Sequence, residues 1–444
     1  MTGHRISKPH AQRASPATPF RAEICGISSC RCWGTDNGVA KAPRFILATE
    51  YYPPDPSTTA IYLGAIADAI ALDMQTVVLS GTIGSAKQKS GNDTPEVIEI
   101  ANWRPPKQAL VSRLIASSAL AFRLFWGVFK RATPGDVVMS ITSPFTLPYA
   151  ITLAARLRGA RTALLIHDLY PEALLAAGLA RQTSLVTRLL RLANGWLFRS
   201  LNAIFVIGRD VPPLLLRYPR VRAENIHFVP NWTLLPIGFR EPDDGSRFRK
   251  PYSAPFVVGL CGNLGFTHAP RTVFESARLL QREKRIHFVL SGWGIGWNEL
   301  KTLQASANLG NVTLLDPVPE EQLAEFLAMA DAWVIPYRRN VAGVSIPSRL
   351  YNLLAVGRAV IVGTEPNSEA GLAVAEEDIG WVVPPEDPTS LAQAISAAAS
   401  DRAATLERGS KAAVAALKYS QQASTQRYRD IIQRLCTEGR ANPS

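Results

Sequence analysis

Four short segments carry residue types that can do chemistry on an anionic ligand. Gly262-Asn263-Leu264-Gly265 follows an apolar run and precedes a helical pattern. Glycines at such a strand end let the main chain approach a phosphate, and the N–H groups of the next helix receive it. A tight turn without a ligand carries the same letters. Pro347-Ser348-Arg349 opens a helix closed by Gly357, with proline early and glycine beyond the end, as helix termini prefer. A cation in the first turn opposes the helix dipole, so Arg349 is better placed when an anion occupies that terminus. Ser345 and Ser348 add hydroxyl donors beside it. The competing reading is a solvated arginine. His167-Asp168 ends an apolar pattern over 162–166 and precedes Leu169-Tyr170-Pro171-Glu172. A histidine there hydrogen-bonds a polar substrate, moves a proton, or simply ends a strand. Gly292-Trp293-Gly294-Ile295-Gly296-Trp297 matches a dinucleotide fingerprint only in part, because Trp297 stands where the third glycine belongs. A nicotinamide site is not expected from it.

The elements that must hold these segments alternate between strand and helix patterns. In the first half, strands are expected over 44–49, 76–80, 137–142, 162–166, 203–207 and 226–229, with helices over 60–72 and 147–157. Residues 236–255 are rich in Pro, Gly, Asp, Arg and Ser and lose the apolar period, which predicts a linker. A second alternation follows: strands over 256–261, 286–291, 312–315, 332–336 and 359–363, and helices over 271–281, 320–329, 348–356 and 391–399. A last helical pattern over 417–435 can pack back across the linker. The organisation expected is an extension without regular structure over 1–43, an α/β domain over 44–235, the linker, a second α/β domain over 256–415 and a C-terminal helix within 416–444. Both domains are doubly wound and Rossmann-like, and they face one cleft.

With 444 residues, 47% hydrophobic and 19% charged, the chain suits two ordinary globular domains and excludes a disordered or fibrous class. Five cysteines, at 25, 30, 32, 261 and 436, are an odd number with three crowded near the N-terminus, which fits unpaired thiols in a reducing compartment better than a disulfide framework. Cys30 and Cys32 lack a second ligand pair at zinc spacing. The net charge of +12 is unevenly placed: residues 1–240 hold 27 Lys and Arg against 14 Asp and Glu, and residues 241–444 hold 21 against 22. An anionic partner for the first half follows from that field. Two stretches, 107–131 and 182–198, set Arg113, Arg123, Lys130, Arg131, Arg188 and Arg191 among leucines and aromatics. Such helices can lie in an anionic membrane interface, cations on lipid phosphates and aromatics at the acyl boundary. Core helices with snorkelling arginines give the same pattern. Residues 137–155 lack charge but carry Pro144 and Pro148, so a strand, turn and buried helix fit better than a membrane span. No stacking motif or zinc module accompanies the basic half, so no nucleic-acid partner is expected.

Taken together, the strand before Tyr51-Tyr52-Pro53-Pro54-Asp55, His167-Asp168-Leu169-Tyr170-Pro171-Glu172, Pro230-Asn231-Trp232, Gly262-Asn263-Leu264-Gly265 and Pro347-Ser348-Arg349-Leu350-Tyr351 stand in the order seen in retaining glycosyltransferases of family 4. Over about 44–435 the chain resembles bacterial members of the cell-envelope and exopolysaccharide type, including a colanic-acid-like branch. The resemblance implies a GT-B fold, a nucleotide-sugar donor held mainly by the second domain, an acceptor held mainly by the first, and no bound metal or other cofactor. It implies that residues Gly262, Asn263, Leu264 and Gly265 line the donor diphosphate and that Arg349, with Arg271 as a second candidate, counters its charge. It also implies that His167, with Asp168 beside it, meets the transferred sugar, and that Asp55, Ser57, Thr58 and Thr59 face the acceptor.

Two departures stand out. The family commonly has two glutamates eight positions apart, the second holding the donor ribose; here those positions are Val344 and Asn352. An amide still bonds a hydroxyl but brings no charge, and Glu369, in the loop after 359–363, is a candidate substitute. The paired glycines of many relatives are also absent at Ser57-Thr58. The function expected is transfer of a sugar from a nucleotide-diphosphate donor to a lipid-linked glycan, polyprenyl-diphosphate in type, by a cytoplasmic enzyme peripheral to the inner face of the plasma membrane. The alternatives are a GT-B nucleotide-sugar epimerase, which needs no acceptor, and a decayed nucleotide-binding assembly partner.

Overall fold

The computed structural model describes residues 42–87, 93–105, 110–252, 254–345 and 348–441. The expectations for residues 1–41, with Cys25, Cys30 and Cys32, for Lys107 and for Pro347 lie outside the described residues.

Parallel strands covered by helices on both faces need nearly continuous apolar runs, and the first half supplies them as β1 (Phe45–Thr49), β2 (Thr76–Ser80), β3 (Glu96–Glu99), β4 (Val137–Ile141), β5 (Arg161–Ile166), β6 (Ala203–Val206) and β7 (Ile226–Phe228). They form a sheet ordered β3-β2-β1-β4-β5-β6-β7, in which every pairing is parallel. The second half contributes β8 (Phe256–Asn263), β9 (Ile286–Trp293), β10 (Val312–Leu315), β11 (Ala332–Pro336), β12 (Ala359–Gly363) and β13 (Gly380–Val383), ordered β10-β9-β8-β11-β12-β13 and again parallel throughout. In each sheet the order reverses at the first strand, so a crevice opens at the carboxyl ends of β1 and β4 in one and of β8 and β11 in the other.

The last helix, Gln421–Ala441, returns to the first half. It buries Tyr428, Ile431, Ile432 and Leu435 in the same core as Phe45, Leu63 and Phe205, and Arg429 pairs with Asp73 at 2.6 Å. Residues 236–255 do not hang free. Arg249 is buried and donates to Met329 O and to Asp331, both at 2.8 Å, while Phe248 and Tyr252 pack against the second core.

Among the described elements the sequence pattern misses β3, β13 and the helices Glu172–Ala176, Pro212–Leu215, Ile295–Ala307, Glu369–Glu376 and Arg402–Ala416. β3 and β13 are edge strands, only half covered, so their apolar runs are short and mixed. The helices Glu369–Glu376 and Arg402–Ala416 are alanine-rich, with few large residues to mark a period. The helix expected over 320–329 starts as a 3-10 turn, Glu320–Gln322, and is α-helical over Leu323–Ala328. β8 and β9 each run two residues beyond the expected ends, with Gly262 opposite Gly292 and Asn263 opposite Trp293. Half of the expected glycine turn is therefore ladder.

Candidate active site

The carboxyl end of β8 lies on that of β9 because glycines remove the side chains between them. A Cβ on Gly292 would lie 2.5 Å from Gly262 O, and one on Gly294 2.7 Å from Asn263 Oδ1. The glycine run over 292–296 thus serves close packing. Gly262 itself takes φ +103°, and a Cβ there would meet the Arg349 guanidinium at 3.2 Å. Arg349 rises from the start of the helix Ser348–Ala355 and donates through Nη1 to Cys261 O and through Nη2 to Asn263 O. No carboxylate among the described residues pairs with it. Burial lowers its pKa from the ordinary arginine value, with the neighbouring Cys261 and Tyr337 opposing that shift. A half-buried cation held only by carbonyl dipoles keeps charge that an anion in the cavity would neutralise.

This cation borders a cavity of about 620 Å³ between the two halves. Ser57 and Thr58, at the start of the helix Thr58–Ala71, line it from the first half; Gly262, Asn263, Ser348, Arg349 and Asn352 line it from the second. Those seven expected residues are brought to one place. Ser57 also caps its helix, its Oγ accepting from Ala60 N at 3.3 Å. Asn352 faces the cavity but is already engaged: its Oδ1 accepts from Thr233 Oγ1 at 3.3 Å and from Leu234 N at 3.2 Å. Trp293, about half exposed, and Glu320 complete the second wall. The sequence reading passes over both as ligand contacts. The glycines on either side of Trp293 are a local signal for it, whereas nothing local distinguishes Glu320 from a solvated helix-start acid.

Other expected residues stand elsewhere, and the structure corrects them. Leu264 is fully buried in the second core, and its N–H is spent on Trp293 O at 2.8 Å. The carbonyl of Gly265 accepts the His268 N–H, and this glycine does not line the cavity. Arg271 sits outside the cleft, exposed and paired with Glu299 at 2.8 Å, because its helix Pro270–Leu279 turns that side chain toward the neighbouring helix Ile295–Ala307. Glu369 cannot substitute for a ribose-holding glutamate: it is 1% exposed and both its oxygens accept from Arg209, at 2.9 and 3.2 Å. Asp55 is tied to Arg104 at 2.7 Å and accepts from Ser57 N at 3.0 Å, so it braces the loop, and Thr59 lies within the first helical turn, outside the cavity lining.

His167 and Asp168 follow β5 at the carboxyl edge of the first sheet, also outside the cavity lining, and both main-chain N–H groups donate to Thr142 Oγ1, at 3.1 and 3.3 Å. The Nε2 of His167 is buried without a partner, and burial lowers the imidazole to about 4. It is neutral at pH 7 and can accept a hydrogen bond there. Its folded value lies below the unfolded one, so the stability it contributes is full above about pH 6.5 and is lost as pH falls toward 4. Titration of the imidazole by NMR is expected to show no protonation of His167 between about pH 7 and 5.5; a midpoint near 6.5 would contradict the buried, unpartnered nitrogen.

Comparison with known proteins gives these observations a family. Residues 62–232 match the glycosyl transferase 4-like domain, and residues 255–401 match glycosyl transferases group 1. The chain is 26% identical over 366 residues to a probable glycosyltransferase, WbjE, of Pseudomonas aeruginosa, covering 79% of this chain and 88% of that one. It is 27% identical over 307 residues to the putative colanic acid biosynthesis glycosyl transferase WcaI of Escherichia coli K12, covering 66% and 75%. The fold superposes on Anabaena Alr3699/HepE in complex with UDP-glucose with a TM-score of 0.64 at 17% identity, over 88% of this chain and 99% of that one. The chain is a glycosyltransferase of GT-B fold, with a glycosyl transferase 4-like first half and a group 1 second half.

Proposed function

We propose that this enzyme moves a sugar, with retention of anomeric configuration, from a nucleotide-diphosphate donor to a polyprenyl-diphosphate-linked glycan at the cytoplasmic face of the plasma membrane, in envelope or exopolysaccharide synthesis. The observation that carries the reading is Arg349, a cation without a carboxylate partner among the described residues, set beside Gly262 on the cavity between the halves. As the acceptor hydroxyl oxygen bonds the anomeric carbon, the bond from that carbon to the diphosphate breaks, negative charge grows on the leaving oxygens, and one of them takes the hydroxyl proton. Arg349, the hydroxyl of Ser348 and the helix start at Ser348 stabilise that charge, so the proposed chemistry needs no metal. Ser57 and Thr58, which line the cavity from the first half, are assigned to the acceptor. UDP-glucose in HepE and colanic acid in the name of WcaI support a nucleotide-sugar donor and a surface glycan product.

A second feature supports a membrane-borne acceptor. Helices Leu110–Arg131, Leu147–Leu157 and Leu185–Arg199 lie on one face of the first sheet. The first of these is long and apolar enough to cross a membrane by length and composition, yet it buries Leu120, Leu124 and Val128 against the sheet. Outward it presents Val111, Ile115, Phe122 and Trp126, and the third presents Leu185, Leu189 and Leu192. Arg113, Arg123, Lys130 and Arg188 stand among them. Exposed apolar residues rimmed by cations suit an anionic lipid surface.

The test joins both parts. UDP, GDP and their glucose or mannose derivatives are screened by thermal shift, and the stabilising donor is then offered with lipid-linked acceptor in anionic vesicles. Expected are donor stabilisation, transfer that survives chelation by EDTA, an axial or equatorial linkage matching the donor, and vesicle binding lost in the Leu189→Ser, Leu192→Ser variant. Nucleotide binding without any turnover would leave only a binding partner.

A further inference from the structure

The halves also meet outside the donor cavity. Arg209 and Asp210 follow β6 of the first sheet, and both side chains cross to the second half. Arg209 donates through Nε and Nη2 to Glu369, at 2.9 and 3.2 Å, and through Nη1 to Glu376, at 2.7 Å; its main-chain N–H adds a bond to Glu369 at 2.8 Å. Asp210 Oδ2 accepts the main-chain N–H groups of Gly343, at 2.7 Å, and of Glu369, at 2.9 Å. The contact is intimate as well as polar. Gly343 takes φ +73°, and a Cβ there would lie 2.5 Å from Asp210 O, so only glycine admits the first half so closely.

These partners are not arbitrary. Gly343 lies in the segment that leads into the helix bearing Arg349, and Glu369 opens the helix that follows β12. Asp210 is 9% exposed and Glu369 is 1% exposed, so each carboxylate depends on the other half of the molecule for its partners. Separating the halves would leave Glu369 without its guanidinium and two main-chain N–H groups without an acceptor unless water replaced them. Charge-assisted bonds of this kind favour the arrangement in which they form.

We propose that Arg209 and Asp210 are positioning residues for sugar transfer: a two-residue latch that holds the wall carrying Arg349 against the wall carrying Ser57 and Thr58. The latch touches neither donor nor acceptor. It acts by fixing the distance between groups that must meet one substrate pair, as productive geometry requires. The proposal rests on the reading above that the cavity is the donor site.

The test uses the full chain with Asp210→Ala, Asp210→Asn, Arg209→Ala and Arg209→Lys. Asp210→Ala is expected to lower kcat about tenfold or more, because roughly one ångström of misplacement can cost up to a hundredfold. Its affinity for UDP or GDP alone, measured by calorimetry, is expected to stay within about threefold of wild type, since the second half supplies those contacts. Hydrogen exchange at the amides of Gly343 and Glu369 is expected to rise. Asp210→Asn keeps an oxygen that accepts both N–H groups, so exchange and kcat are expected to recover to within about threefold of wild type. Arg209→Ala should act as Asp210→Ala does, with Arg209→Lys intermediate because the fork is lost. Wild-type kcat and exchange in Asp210→Ala would overturn the latch, and so would an Asp210→Asn variant as slow as Asp210→Ala, which would assign the carboxylate a charge or proton role. Should Asp210→Ala not fold, Arg209→Lys carries the same comparison. If the wild-type enzyme transfers no sugar, the donor reading fails, while exchange at Gly343 and Glu369 still decides the latch.

Discussion

Replacing Arg349 with alanine is expected to slow sugar transfer by about a hundredfold or more while the chain stays folded. The size follows from where the charge is needed. In the proposed reaction the diphosphate gains negative charge as it leaves, and a preorganised donor aimed at growing charge contributes more to the transition state than to the ground state. Arg349 is preorganised by its two carbonyl contacts, Cys261 O and Asn263 O, which consume only part of its guanidinium. The loss should therefore appear mainly in kcat, with donor affinity falling less. Lysine restores the charge but not the fork that reaches both carbonyls, so partial recovery is expected. Steady-state kinetics with the donor found by thermal shift provide the check. Near-normal turnover of Arg349→Ala would remove this residue from the mechanism and with it the main support for the donor site.

The largest expected effect on stability lies away from the cavity, at Asp331. Its carboxylate is fully buried and accepts three bonds: from Arg249 Nη1 at 2.8 Å, from Val257 N at 2.7 Å and from Arg402 Nε at 2.8 Å. Arg249 belongs to residues 236–255 and its side chain is 3% exposed, so Asp331 fastens the connection between the halves to the first strand of the second sheet and to the helix Arg402–Ala416. Asp331→Ala leaves a buried guanidinium with only the exposed Asp244 as an ionic partner. Removing one member of a buried pair costs about 3–5 kcal/mol. Urea denaturation followed by tryptophan fluorescence should show that loss as a lower midpoint. Molecules that remain folded are expected to bind nucleotide normally, because Asp331 does not line the cavity. The two variants thus separate a residue that serves the reaction from one that serves the fold.

The two-sheet plan is legible in the sequence because fully buried parallel strands must be written as unbroken apolar runs. Phe45–Thr49 and Ala359–Gly363 leave little choice. Edge strands can escape that constraint: Glu96–Glu99 and Gly380–Val383 are too mixed to be marked by pattern, whereas the edge strands Ile226–Phe228 and Val312–Leu315 keep enough apolar residues to be read. Gly262 and Arg349 are legible for a related reason: each has a residue type that its backbone position favours or is strained by. A glycine at a strand end and a cation at a helix start are local facts, whereas Ser57 is marked only through the family resemblance.

Partnership is not local. The sequence marks Glu369 as a carboxylate near a strand end, but only the fold brings Arg209, 160 positions away, onto both of its oxygens. It shows an amide at 352, but not that Thr233 and Leu234 already occupy its oxygen. By itself the sequence determined which strands are buried and where glycine and cation stand at their ends, since these follow from burial and from backbone preference at single residues. Which charged side chains remain available to a ligand was decided only by tertiary structure, because a charge is free or spent according to what distant segments deliver to it.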